Sequence, residues 1–227
     1  VSGHKPWAEI TRKRDSRILI GLDVDGTLYR WGRAVRKAVR RRFGVTVSND
    51  YWFGEEHVTP EIWEWVWSPV GVREVFGTGE SFPGAIQAAK DLCRIGRVRI
   101  LTAIPPEAQK VRKAWLDARR IPYDELVFVG LPPTTTGASG TDGKAHASKS
   151  EYLPHCDVYI DDSPNNCDEL VQNTKARVIL LDHSWNRKRN LEPKSRSKRL
   201  VRAHDWGEVL ELTEQVARTR VWSWSSS

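Results

Sequence analysis

The chain has 227 residues, of which 39% are hydrophobic and 29% charged, and carries a formal net charge of +7. This suits one sizeable α/β domain with a small appendage, and no apolar run approaches the length of a membrane span. The basic balance favours anionic partners, whether nucleotides, nucleic acid or phosphorylated metabolites, and the three scattered cysteines (Cys93, Cys156, Cys167) suit a reducing cytoplasm better than a disulfide framework or a zinc site.

Residues 1–17 are polar and basic, without the apolar centre of a signal peptide, and the chain holds no methionine, so the initiator is missing. From Ile18 an apolar run ending in Asp23-Val24-Asp25 predicts a buried parallel strand. Residues 28–82 hold no strand-like run but three helical ones, 33–43, 59–67 and 70–75, and read as a helical cap inserted after that strand. The rest alternates: helix 83–95, strand 98–102, helix 106–119, strand 126–130, short helix 149–153, strand 157–160, helix 163–172 and strand 177–181. Pro83 and Pro106 stand in first turns, where a helix tolerates proline. A Pro/Thr/Gly-rich loop spans 131–147, a last helix is expected over 206–216, and the end from Trp222 reads as a frayed tail. Such alternation implies a parallel sheet covered on both faces, with its binding crevice outside the carboxyl ends of the strands. The core is then 1–27 with 83–227, and the cap 28–82.

Chemistry-bearing residues gather at those strand ends. Asp23-Val-Asp-Gly-Thr turns two carboxylates, Asp23 and Asp25, towards one crevice, and Gly26 permits a sharp turn that brings backbone amides, with Thr27, near a phosphate. Anions so close call for a cation or a proton, and oxygen ligands favour Mg2+ over zinc. Thr102 and Ala103 end the second strand with a hydroxyl and amides for phosphate oxygens; Asp161 and Asp162 end the fourth and complete an oxygen-rich metal site. Lys149 supplies positive charge against a phosphoryl group, with Lys144 as its rival, because the loop before them leaves the register open.

This set of residues resembles the haloacid dehalogenase (HAD) superfamily of phosphatases, over roughly Ile18 to Leu212. Phe82-Pro-Gly-Ala, Thr102-Ala103 and Ile160-Asp-Asp-Ser-Pro are further similar to the cytosolic 5′(3′)-deoxyribonucleotidases. The resemblance implies a Rossmann-like doubly wound core and a magnesium-dependent phosphomonoesterase in which Asp23 is the nucleophile and Asp25 the general acid and base. It also implies Mg2+ held by Asp23, the main-chain carbonyl of Asp25, and Asp161 or Asp162, with Asp161 favoured from its place at the strand end.

The substrate is approached through the aromatic cap. Most of its rings (Trp52, Trp63, Trp65, Trp67, Phe76) are read as packing, while Trp31 and Phe53 are candidates for stacking on a base. Basic runs at 33–42 and 187–202 read as solvated faces or as a surface for a phosphate-rich partner, and Asp182-His-Ser-Trp-Asn-Arg follows the last core strand on the crevice side. Three functions therefore stand together: a nucleotidase acting on (deoxy)ribonucleoside monophosphates, a phosphatase of nucleic-acid ends, and a non-catalytic nucleic-acid-binding module. No membrane partner is expected.

Overall fold

Ile18–Asp23 forms β1, an apolar strand buried almost throughout, as a parallel strand covered on both faces must be. The computed structural model describes residues 17–47, 58–130, 148–187, 195 and 197–224. After β1 come three helices, α1 (Trp31–Phe43), α2 (Pro60–Trp67) and α3 (Pro69–Gly77). Then follow α4 (Ala85–Ile95), β2 (Gly96–Ile104), α5 (Pro106–Ala118), β3 (Glu125–Gly130), α6 (Lys149–Tyr152) and β4 (Val158–Asp161). The chain continues through α7 (Pro164–Asn173), β5 (Arg177–Leu181), α8 (Ser184–Arg187), β6 (Leu200–Ala203) and α9 (Trp206–Trp224).

The six strands form one parallel sheet in the order β3-β2-β1-β4-β5-β6. The chain steps outward from β1 to β3, then returns to lay β4 on the other side of β1. That reversal leaves a crevice at the carboxyl ends of β1 and β4, where Asp23 and Asp161 stand. One face of the sheet packs Ile18, Ile20 and Leu22 against Ala85, Ala89 and Leu92 of α4 and Val209 of α9. The other packs Leu101, Tyr159, Val178 and Leu180 against Cys167, Leu170 and Val171 of α7. The fold is thus the α/β, Rossmann-like one expected.

Helices α1–α3 share their own apolar cluster, including Val35, Val39, Ile62, Val66, Val72, Val75 and Phe76. Ile104 and Ala108, from β2 and the start of α5, complete it, so these helices are seated directly on the sheet-covering layer. Helix α1 closes at Gly44, left-handed at φ 70°, whose amide reaches Arg40 O at 3.0 Å. Pro69 opens α3 and Ser68 caps it, accepting the Gly71 amide at 3.1 Å. Trp63 and Trp67 stack at 6.2 Å with an 8° interplanar angle, which is packing, as read for most of these rings.

Two expectations are corrected here. The last helix runs on to Trp224, with neither Gly nor Pro after Gly207 to interrupt it, so Trp222 to Trp224 belong to the helix, while the rest of that tail, 225–227, lies outside the described residues. The second basic run ends in β6, and two of its described arginines, Arg199 and Arg202, are turned into the fold, while residues 188–194 and 196 lie outside the described residues. Arg199 donates to the carbonyls of Val171, Thr174 and Ala176, and Arg202 to the side chains of Asp182 and Asn186. A backbone-satisfying arginine is a structural part, not a free contact for a polyanion.

Asp182, just past β5 and with its side chain 1% exposed, gathers Arg187, Arg202 and His204. Hydrogen bonds from Arg187, and then from Arg202 and His204, hold its carboxyl well below the usual range despite burial. A depressed pKa stabilises the fold fully above the unfolded value of about 4 and loses that effect as the pH falls further. The thermal midpoint of the wild type should therefore drop more steeply below about pH 4 than that of Asp182→Asn, as measured by melting across a pH series.

Candidate active site

The turn after β1 is a local construction. Val24 O accepts the amides of Thr27 (3.2 Å), Leu28 (2.9 Å) and Tyr29 (2.7 Å), and Gly26 N reaches Tyr29 O at 2.9 Å. Gly26 sits at φ +91°, and a Cβ there would lie 2.1 Å from Asp162 Oδ2. Glycine is needed on both counts: for the backbone and for the approach of that carboxylate. The Gly26 and Thr27 amides are occupied inside the turn, so they are not open to a phosphate as the sequence reading expected.

Asp23, Asp161 and Asp162 each bring one carboxylate oxygen within 4.8 Å of the others, all three residues being buried. Lys149, presented by α6 after the Ser148 cap, donates to Asp23 Oδ1 at 2.5 Å and to Asp161 Oδ2 at 2.7 Å. The two acids at the end of β4 differ in their surroundings. Asp161 also accepts from Ser163 N at 2.9 Å, and both its oxygens accept from Asn166 Nδ2 at 3.2 Å. Asp162 Oδ2 takes one bond, from Trp185 Nε1 at 3.0 Å. Asp23 Oδ2 is buried with no hydrogen-bond partner among the described residues.

Burial raises the Asp23 carboxyl to about 7, with Lys149 opposing and Asp161 and Asp25 adding to the rise. Asp162 is pushed well up by burial and then by Asp23 and Asp161. Lys149 stays protonated, because Asp161 and Asp23 outweigh the burial that would lower it. Three buried carboxylates facing one ammonium leave an excess of negative charge in a poorly solvated place, and a divalent cation on oxygen ligands relieves it. The residues present fit such an ion.

Asp25 points elsewhere. Its carboxylate is ion-paired with Arg112 and accepts from Thr102 Oγ1 at 3.2 Å. Burial raises its pKa in spite of Arg112 and Thr102. Arg112, wholly buried, lies 4.0 Å over the Tyr29 ring. Sequence reasoning missed it. The signal was there: Ala108, Arg112, Trp115 and Leu116 are the buried stripe of α5, and an arginine in such a stripe needs a buried acid.

A cleft opens beside Asp25 and Gly26, lined by Arg30, Trp31, Gly32, Arg33, Arg36, Phe82 and Trp185. His183 stacks on Trp185 at 4.0 Å and packs tilted by 32° against Phe82 at 4.7 Å, and burial lowers its pKa to about 4. The segment 182–187 thus borders the site, and Asn186 ties it down by donating to the carbonyls of Leu181 (2.8 Å) and Asp162 (3.0 Å). Thr102 is buried and Ala103 exposed at the end of β2. Of the other candidates, Trp31 lies in the cleft, whereas Phe53 and Lys144 fall outside the described residues.

Several solved structures share this fold. A haloacid dehalogenase-like hydrolase, SP0104 from Streptococcus pneumoniae, is 18% identical at a TM-score of 0.51, covering 87% of this chain and 98% of its own. The HAD-hydrolase YfnB from Bacillus subtilis, bound to magnesium, is 13% identical at a TM-score of 0.53, covering 87% and 98%. A β-phosphoglucomutase described from Thermotoga maritima is 16% identical at 0.50, covering 88% and 99%. No curated protein sequence matches the chain. The sequence profile of the family "5' nucleotidase, deoxy (Pyrimidine), cytosolic type C protein" matches residues 17–137, just over half of the chain. The chain belongs to this 5′-nucleotidase family, within the haloacid dehalogenase group, and is a phosphatase of that type.

Proposed function

We propose that the protein is a magnesium-dependent phosphomonoesterase acting on nucleoside monophosphates through an aspartyl-phosphate on Asp23. The observation that carries this reading is the buried trio Asp23, Asp161 and Asp162 at the strand reversal, with Lys149 between two of them and Asp23 Oδ2 unpartnered. A carboxylate oxygen of Asp23 attacks phosphorus while the bond to the ester oxygen breaks, and Asp25 gives its proton to the leaving oxygen. Water then attacks phosphorus, Asp25 takes the proton, and the bond to Asp23 breaks to release phosphate. Burial raises the pKa of Asp25 against Arg112 and Thr102, so it takes up a proton more readily than an exposed aspartate, and those two residues hold it in place. Lys149 neutralises the phosphoryl group, and Ala103, exposed at the strand end, is the open position for a phosphate oxygen.

Asp23, the main-chain carbonyl of Asp25, and Asp162 would hold the metal. Asp162 is preferred to the Asp161 of the sequence reading, since Lys149, Ser163 and Asn166 already engage both oxygens of Asp161. Magnesium, when bound, would supply positive charge against the carboxylates and the phosphoryl oxygens. Helices α1–α3 are read as the cap, because α1 contributes Trp31 and its basic first turns to the cleft. The rings of Trp31, Phe82 and Trp185 suit a nucleobase. A reducing, cytoplasmic setting belongs to the same reading, supported by the free thiols of Cys93, Cys156 and Cys167. Among the described residues no helix is long and apolar enough to cross a membrane.

Phosphate release should be measured for nucleoside 5′- and 3′-monophosphates and sugar phosphates, with magnesium and with excess chelator. Nucleotide turnover that chelation removes is the expected result. Turnover of sugar phosphates alone would discard the nucleotide, and turnover that survives chelation would discard the metal.

A further inference from the structure

The cleft beside Asp25 carries more positive charge than one phosphate requires. Its lining brings together Arg30, Arg33 and Arg36, all from the first two turns of α1 or the residue before it. Among the described residues Glu80 pairs with two of them, 3.9 Å from Arg30 and 3.4 Å from Arg33, while Asp25 in the same cleft is engaged by Arg112. Arg36, partly buried, pairs with no carboxylate among the described residues. Its guanidinium lies over Gly32, where a Cβ would meet Nη1 at 3.3 Å, so the small residue makes room for it in the cleft. Burial, and then Arg30 and Arg33, depress its pKa, which is the mark of guanidinium groups crowded without enough counter-charge.

The helix itself aggravates the crowding. The start of α1 carries the positive end of the helix dipole and amides without intrahelical acceptors, so acids are favoured there and cations disfavoured. Yet its first turn holds no acid, and Arg30 at the N-cap makes no capping bond. Beyond Arg36 the basic surface continues in a neighbouring hollow lined by Arg33, Arg36, Lys37, Arg40 and Arg41. A solvated helix face accounts for the outer residues, but not for a half-buried arginine turned into the same cleft as Asp25.

We infer that Arg30, Arg33 and Arg36 form a second anion subsite beside the catalytic one, and that the substrate carries a second phosphate beyond the one that is cleaved. The rings of Trp31, Phe82 and Trp185 line the same cleft and suit a base carried with those phosphates. This rests on the proposed phosphatase reading and narrows its substrate. The shared chemistry has two sources, a nucleoside bisphosphate or the phosphorylated end of an oligonucleotide.

The test separates binding from turnover. In the Asp23→Asn protein with magnesium, calorimetric titration compares a nucleoside 5′-monophosphate, the matching 3′,5′-bisphosphate and a 5′-phosphorylated trinucleotide. The second phosphate is expected to tighten binding at least tenfold, with a steeper salt dependence, and Arg36→Gln in the same background should erase most of that gain. Equal affinity for monophosphate and bisphosphate, or a gain that Arg36→Gln leaves intact, would overturn the inference. A further gain for the trinucleotide would assign the outer row, Lys37 to Arg41, to a strand; equal gains would assign the small bisphosphate. Turnover by the wild type is read separately: no release from any of these compounds defeats the phosphatase mechanism, while the binding ratio still decides the subsite.

Discussion

Asp23→Asn should lower phosphate release by at least about three orders of magnitude while the chain stays folded, as removal of a nucleophile does in other covalent enzymes. A carboxamide at this position is a poor nucleophile and a poor cation ligand. The fold tolerates it because Lys149 keeps Asp161 as its partner, and because Asp23 is itself a strained presence, its carboxyl raised to about 7 by burial. A carboxyl with a raised pKa is destabilising above its unfolded value, and the cost grows as the pH rises through the folded one. Without divalent cation, the melting temperature of Asp23→Asn relative to wild type should therefore increase between about pH 4 and 7. Acid-quenched wild type exposed to substrate should carry a phosphoryl group on the peptide containing Asp23. A folded variant with more than a tenth of wild-type activity would remove Asp23 from the mechanism.

The second large effect is on stability. Arg112→Met should cost about 3 kcal/mol or more, near 10 °C in melting temperature for a chain of this size. Arg112 is wholly buried, and its loss leaves Asp25 in a poorly solvated place without its counter-charge and strips a cation from the Tyr29 face. Most of that cost is the stranded carboxylate, not the missing attraction. The same substitution in an Asp25→Asn background should therefore cost at least about 1 kcal/mol less, a coupling read from a double-mutant cycle in denaturant. Additive losses would show that Arg112 supports the fold through packing alone.

Much of this protein is legible without coordinates. Its strands are buried on both faces, so they appear as continuous apolar runs, and the residues ending those runs are the ones the fold assembles. Asp23, Thr102, Asp161 and Asp162 stand at such ends, whereas Lys149 is read from its place at the start of a short helix. Their meeting follows from chain topology: when strands run parallel, every strand end of one kind lies on one edge of the sheet.

Other features required the third dimension. Arg112 reaches Asp25 across 87 positions, and its sequence signature is only a charge out of place in a helical stripe. Strand β6 hides in a basic run because Arg199 and Arg202 turn their heads to carbonyls and to Asp182, contacts that no local pattern announces. Asp161 and Asp162 are adjacent and chemically identical, so the sequence alone left both open. Only the tertiary structure separates them, by giving one to Lys149, Ser163 and Asn166 and leaving the other beside Gly26. Apolar periodicity is a local property and determines elements. The environment of a charge is set by whatever distant groups the packing brings to it, and that is decided when the sheet is assembled.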